Sequence, residues 1–309
     1  MKEGIYMYGM FFDDYDTPVF RPPSEAESFI LRVTRGCAHN SCTYCNMYRG
    51  VKFEKLSDDQ IMRQIAMAYS TDAEGVRRVF LADGDALVLP TERLLNILAV
   101  LKKYFPNLER VSSYAAPRDI LAKSVEELTE LRRAGLALLY YGMESGDAQT
   151  LKDIRKGVND KQSIEAGKRV IAAGMKLSIM IILGIAGKEG STRHALATAH
   201  AINEIKPTML SALSLMLYRG SELKEQFERG EFHPLTPAQL MEELKLIMEH
   251  VDLPESEHMI FRSNHVSNYI RLAATLPRDK EQLLKDIDKS ILHLKQMKNW
   301  DIYNHDFTK

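Results

Sequence analysis

Outside one nine-residue window the chain has no cysteine. Cys37, Cys42 and Cys45 are the only three among 309 residues. An odd, clustered set excludes a disulfide framework, which needs even numbers spread along the chain. Long apolar runs are missing too: none reaches the roughly 18 residues of a membrane span. Met1 to Asp16 lacks the basic-then-apolar order of a secretory signal. Excess charge is absent, since 41 basic residues face 42 acidic ones for a net −1. No bulk field therefore draws the chain to nucleic acid or a membrane surface. Repeats at solenoid periods and low-complexity tracts are absent as well. These absences predict a soluble protein of a reducing cytoplasm, with one large domain or a domain and an appendage.

What is present is a rhythm. Apolar strand candidates run Phe29 to Val33, Val76 to Leu81, Arg110 to Tyr114, Leu136 to Met143, Leu177 to Leu183 and Met209 to Leu215. Amphipathic helices lie between them. Ser57-Asp58-Asp59-Gln60 and Ser124-Val125-Glu126-Glu127 read as capping boxes that start two of them. Six strand–helix units predict an α/β fold with a parallel sheet. Eight units close a barrel of ~250 residues, and the alternating region is shorter, so the expectation is a partial (β/α)6 TIM-like barrel. After Gly220 the rhythm is expected to stop. A capped helix from Thr236 to about His250 and another helix from Asp279 to Lys298 predict a helical extension. The domain reading is a lead-in over 1–28, a barrel over 29–216 and a C-terminal extension over 217–309.

The cysteines follow the first strand as C-x4-C-x2-C. Soft thiolates suit iron, and three on one loop can hold three corners of a cubic [4Fe–4S] cluster, leaving the fourth iron open. Zinc is the ordinary alternative, with His39 completing a Cys3His set; unligated thiols are a third. Other polar residues gather at the same strand ends, where such sheets place their sites. Asp83 and Asp85 follow the second strand, against the ordinary reading of a solvated turn. Tyr114 ends the third, and Glu144 ends the fourth and should enter the lumen. The ordinary role for Glu144 is an ion pair with Arg155 or Lys156. In the extension, Arg262-Ser263-Asn264-His265 is unusually polar. His265 and Asn264 are candidate catalytic residues there, His265 as a proton donor or acceptor. A helix cap at Ser263 or Asn264 is the plainer reading. No histidine besides these two stands out.

The order of these motifs resembles the radical S-adenosylmethionine (SAM) superfamily. That family's commonest spacing is C-x3-C-x2-C with an aromatic before the last cysteine, a place held here by Tyr44; this chain has one residue more. Ala82-Asp83-Gly84-Asp85 sits where the family has a turn that meets the methionine amino group. Gly142-Met143-Glu144-Ser145-Gly146 is similar to a segment of oxygen-independent coproporphyrinogen oxidases and methylthiotransferases. Counting onward, Lys156, with Arg155 beside it, matches their carboxylate-binding arginine, and Gly184-Ile185-Ala186-Gly187 resembles the turn beneath the adenine. The resemblance implies a [4Fe–4S] cluster on Cys37, Cys42 and Cys45, and SAM held by Tyr44, Asp83, Gly84, Asp85, Tyr114, Glu144, Arg155, Lys156 and Gly184. Met180, where relatives have a polar contact, reads as packing.

It further implies reductive cleavage of SAM to a 5′-deoxyadenosyl radical and hydrogen abstraction from a substrate, with a reductant such as flavodoxin or ferredoxin. With no fourth cysteine, a second cluster or a methyl-relay cysteine is not expected, which favours a small-molecule substrate. Modification of a tRNA or a protein side chain is the alternative. It would use Arg32, Arg35, Arg49, Lys52 and Lys55 as a basic rim. A non-catalytic iron–sulfur sensor or electron carrier is a third reading, with four protein ligands and no nucleoside site.

Overall fold

A computed structural model describes residues 19–297. Most of the expected lead-in, and the Lys298 end of the last helix, lie outside them. In chain order come β1 (Phe29–Arg32), the short β2 (Thr34–Arg35) and β3 (Glu54–Lys55), α1 (Asp58–Asp72), β4 (Arg78–Ala82), α2 (Thr91–Tyr104), β5 (Arg110–Tyr114), α3 (Pro117–Leu121), α4 (Val125–Ala134) and β6 (Leu136–Glu144). There follow α5 (Ala148–Asp153), α6 (Asp160–Ala172), β7 (Lys176–Leu183), α7 (Gly187–Ile205), β8 (Met209–Ser214), α8 (Glu222–Glu228), α9 (Pro237–His250), β9 (Met259–Arg262), β10 (Ala273–Leu276) and α10 (Lys280–Gln296).

Eight strands form one sheet in the order β1-β4-β5-β6-β7-β8-β9-β10. Neighbours from β1 to β9 are parallel, and β10 runs antiparallel to β9. This is the partial barrel the alternation predicts, with β1 and β10 as its two edges among the described residues. The predicted caps form: Ser57 with Gln60, Ser124 with Glu127 and Thr236 with Gln239 each satisfy two orphan amides reciprocally. Asn159 and Gln162 do the same for α6.

The sequence differs from the structure after Gly220. The strand–helix rhythm continues there for one more unit, because β8 leads through α9 to β9, whose Ile260, Phe261 and Arg262 register with Met209, Leu210 and Ser211. β9 has four residues with a buried–exposed alternation, too short for a period to stand out. The extension is therefore helical with a two-strand edge. Arg262 lies in β9, and the segment after it is a loop rather than a helix start.

Side chains alternate across each strand. In β7, Ile179, Ile181 and Leu183 join the large core that also contains Leu240 and Leu244 of α9. Met180 turns the other way, into a second cluster with Ile30, Phe80, Tyr114, Leu138, Tyr140 and Met209 that fills the lumen. Phe80 and Tyr114 meet edge-to-face at 5.1 Å, a favoured ring geometry. Below them the Tyr140 hydroxyl donates to the buried Glu25 at 2.6 Å, and Arg110 pairs with Glu25 at 2.8 Å. The lumen is packed at that end, and sheets of this kind place their sites at the opposite, carboxyl ends of the strands.

Candidate active site

The cysteine loop leaves the sheet through the β2–β3 ladder, where Thr34 faces Lys55 and Arg35 faces Glu54. That two-rung ladder closes the loop at its base. Asp83, just past β4, pins it from beneath. One carboxylate oxygen accepts from the Gly36 amide (3.1 Å) and pairs with Arg32 (3.1 Å), and the other accepts from the Tyr48 hydroxyl (3.0 Å). The Gly84 amide donates back to the Gly36 carbonyl at 3.2 Å. A Cβ on Gly84 would lie 3.1 Å from that carbonyl and 3.2 Å from the Cys37 Cα, so only glycine allows this approach without displacement. Asp83 is fully buried. Burial pushes its carboxyl up, against the pull of Arg32 and the three hydrogen bonds.

The loop's far side is knitted to the turn after α5. Thr43 donates its amide to the Ile154 carbonyl (3.1 Å) and accepts from the Leu223 amide (3.0 Å). His39 Nε2 bonds the Arg155 carbonyl at 2.6 Å. A Cβ on Gly157 would meet the His39 ring at 2.6 Å, and Gly157 sits at φ 82°. His39 thus braces the loop. Among the described residues no three His, Cys, Asp or Glu side chains close on a point that one metal ion would occupy.

The three thiols are free and half-buried. The Asn40 amide points at the Cys37 sulfur at 3.5 Å, and the Met47 amide at Cys45, the type of contact that tunes cluster sulfurs. The buried Thr43 hydroxyl beside Cys42 lacks a partner. Burial pushes the Cys42 thiol up to about 11, with Lys156 opposing and Glu144 and the other two sulfurs adding to it. Burial also raises Cys45. Soft donors on a braced loop, already contacted by amides, fit an iron–sulfur cube.

Beside Cys42 stand Glu144 and Lys156, paired at 2.8 Å and both largely buried. Glu144 ends β6 with φ 63°, a left-handed turn unusual for a side chain of its size. A Cβ on Gly142 would lie 2.2 Å from the Glu144 carboxylate and 3.2 Å from Lys156 Nζ, so Gly142 is the floor on which the pair rests. Desolvation would lower the Lys156 ammonium, but the Glu144 carboxylate and the Cys42 sulfur outweigh it and the shift is upward. Tyr44 faces the same carboxylate. Burial first, then Glu144, push its hydroxyl well above the usual range.

The other sequence candidates separate. Arg155 turns outward to a bidentate pair with Glu222 (2.7 and 2.8 Å), leaving Lys156 as the cation that faces Glu144. Asp85 is buried: one oxygen accepts from the Leu87 amide at 3.1 Å and the other has no partner. Burial, then neighbouring Asp119, raise its carboxyl strongly. Tyr114 lines the lumen. His265 Nδ1 is 2.8 Å from the Ser267 hydroxyl and accepts from the Ser267 amide (3.2 Å), which leaves the proton on Nε2. Burial lowers its pKa. Ser267 and Asn268 fasten this loop to Ser214 and Ala212 at the end of β8. Asn264 is exposed. Gly184 (φ 80°) turns the chain after β7.

Tyr48, His194 and Glu243 escaped the sequence reading, and Arg32 was read there only as part of a basic rim. Arg32 and Tyr48 hold Asp83. His194 on α7 and Glu243 on α9 are buried together behind the β6 and β7 turns, at 3.6 Å. Glu243 had a signal: it lies in the stripe of Leu240, Leu244 and Ile247, where an acid has no solvated face.

Against known proteins, the model of the Radical SAM superfamily matches residues 31–197, more than half of the chain. A Methanocaldococcus jannaschii protein provisionally named a methylthiotransferase is 24% identical over 48% of this chain and 33% of its own. The 4′-phospho-dehydrooxetanocin synthase of Priestia megaterium is 27% identical over 50% of this chain and 23% of its own. The chain thus spans a third or less of the curated relatives it matches. Among solved structures, Elp3 of Methanocaldococcus infernus superposes with a TM-score of 0.52 at 15% identity, covering 85% of this chain and 63% of that one. The cobalamin-dependent SAM radical enzyme OxsB, with aqua-cobalamin and SAM bound, gives 0.50 at 19% identity, covering 74% and 31%. At such identities these two share the fold.

Proposed function

The chain belongs to the radical SAM superfamily, whose cofactors are a [4Fe–4S] cluster and SAM, and from that premise we propose that it abstracts hydrogen from a small-molecule substrate at the mouth of its partial barrel. The observation that carries the reading is the placement of Lys156 and Glu144 beside Cys42, on a loop braced from both sides. When bound, a cluster of this type passes one electron to SAM, breaking its sulfonium carbon–sulfur bond into methionine and a 5′-deoxyadenosyl radical.

Cys37, Cys42 and Cys45 hold the cluster. Lys156 has three donors and gives Glu144 one of them at 2.8 Å, so it can take the methionine carboxylate without releasing Glu144. Glu144 then accepts from the ribose hydroxyls, and Tyr44 packs beside it. Gly84 and Gly184 give the backbone close approach at the amino and adenine ends. Asp83 acts through the loop that it pins, with Asp85 next to it. Tyr114 shapes the lumen wall. His265, with its proton on Nε2, and Asn264 face the substrate from the loop above β8. A flavodoxin or ferredoxin supplies the electron.

Part of the basic rim that RNA binding would use is committed elsewhere. Arg32 is buried against Asp83, Arg35 pairs with Glu54 at 3.5 Å, and Arg49 donates to the Gly220 carbonyl. Within these 309 residues no cysteine remains for a second cluster or a methyl relay.

The test is anaerobic reconstitution, then incubation with SAM and dithionite. Wild type is expected to release 5′-deoxyadenosine, and Cys42→Ala to release none while keeping its helical circular dichroism. Wild-type turnover in the variant removes Cys42 from the ligand set.

A further inference from the structure

Two turns at the barrel mouth, Glu144-Ser145-Gly146 after β6 and Gly184 after β7, are each held from behind by a buried polar group, His194 and Glu243, and these two face each other across 3.6 Å. The Asp147 amide donates to the Ser145 hydroxyl (3.0 Å), and that hydroxyl lies 2.8 Å from His194 Nδ1. With Ser145 donating, His194 carries its own proton on Nε2, and Nε2 faces Glu243 at 3.6 Å. Glu243 accepts from the Gly184 amide at 2.7 Å with one oxygen and from the Ser191 hydroxyl with the other. Ser145 and His194 are 0% exposed and Glu243 is 3% exposed. His194 Nε2 has no hydrogen-bond partner within reach.

The turns themselves are pressed onto the same two helices. A Cβ on Gly146 would lie 2.3 Å from the Ala197 carbonyl of α7, and one on Gly184 2.7 Å from Leu240 of α9. The Gly146 amide also donates to Thr198 of α7 at 3.0 Å. Two other charges act on His194, Asp147 and Arg193, and those of α9 turn away. Arg193 of α7 pairs with Asp147 at 2.9 Å, and on α9 Lys245 and Glu242 reach Asp288 and Lys295 of α10.

We infer that Glu243, supplied by the C-terminal extension, is a positioning residue for the SAM nucleoside: bonded to the Gly184 amide and set at 3.6 Å against His194, which holds Ser145, it fixes the spacing of the two turns between which the nucleoside lies. This rests on the assignment of those turns as the nucleoside site. Burying an acid costs stability, and a leucine at this stripe position would pack without holding the Gly184 amide or the Ser191 hydroxyl. Burial pushes its carboxyl up to about 7, with Ser191 and Gly184 opposing. Ionised, it holds both donors; protonated, it holds them less tightly.

The experiment compares wild type with the near-isosteric Glu243→Gln, by equilibrium dialysis of SAM against cluster-reconstituted protein. Loss of a charge-assisted bond predicts affinity about tenfold weaker in the variant at pH about 8. The ratio should close toward one at pH about 6, where the wild-type carboxyl is also neutral. Amide exchange at Gly184, read in cofactor-free protein, should quicken in the variant at the higher pH. A ratio of one at both pH values, or an equal loss at both, overturns the inference, as does a lowered melting temperature with unchanged affinity. Glu144→Ala runs in parallel. If it binds SAM like wild type, the nucleoside site itself is misassigned; if it loses SAM while Glu243→Gln does not, only the positioning role falls.

Discussion

Two buried acid–base pairs lie on opposite sides of the β6 turn, and they are built differently. Glu144 and Lys156 meet at 2.8 Å at the open mouth, each about a tenth exposed. Glu243 and His194 face each other at 3.6 Å with no exposure of either side chain. The first pair keeps spare donors and acceptors toward the lumen. The second has spent its hydrogen bonds on turns and helices, apart from His194 Nε2. Polarity left unsatisfied toward solvent marks where a ligand is received, and polarity enclosed by protein marks what holds the receiver in shape.

Substitutions at the glycines beneath the two pairs sharpen the contrast most. Gly146→Ala drives a methyl into the backbone of α7, which cannot move aside, so a loss of about 3 kcal/mol is expected by denaturant melting. Gly142→Ala meets only the movable ends of Glu144 and Lys156. Its stability should stay near wild type while SAM affinity weakens about tenfold. Equal stability loss in both variants would erase the distinction.

Titration gives the next largest effect, and its two halves oppose. Glu243 has a folded pKa of about 7, above its ordinary 4.5. Its contribution is present below 4.5 and is lost as pH rises toward 7, by about 3 kcal/mol. His194 is lowered from 6.5 to about 4, by burial first and Arg193 last, with Asp147 opposing. Its contribution is present above 6.5 and is lost as pH falls toward 4, by a similar amount. The two nearly cancel over that window. Glu243→Gln should therefore melt more readily in acid relative to wild type, and His194→Gln more readily toward neutrality. Parallel melting curves for all three proteins would contradict both shifts.

The smallest expected change is at His265, away from either pair. His265→Ala should leave SAM cleavage without substrate unchanged and diminish product once the substrate is present. Equal product yield in the variant makes the residue a loop brace.

The sequence told the two regions apart only in part. Strands β1, β4, β6 and β7 were legible as largely apolar runs, and β5 and β8, which carry serines, by their place between helices and turn residues. The Glu144–Lys156 partnership was legible as an ion pair, because the eleven intervening residues form a short helix and a turn that bring them back together. Asp83 was legible as a strand-end acid, but not that Arg32, Tyr48 and the Gly36 amide enclose it; those contacts span tens of residues and leave no periodic trace. β9 and β10 were missed because four residues cannot establish an alternation. His194 was missed because one histidine in a long helix carries no pattern, and its burial depends on α9 arriving from fifty residues away.

The doubly clamped cysteine loop has a consequence for maintenance. Its shape is set by Asp83, His39 and Thr43, none of which is iron, so an oxidised cube can fall away without unravelling the receptacle. Repair then reduces to delivery of fresh metal and sulfide into a mould that has kept its form.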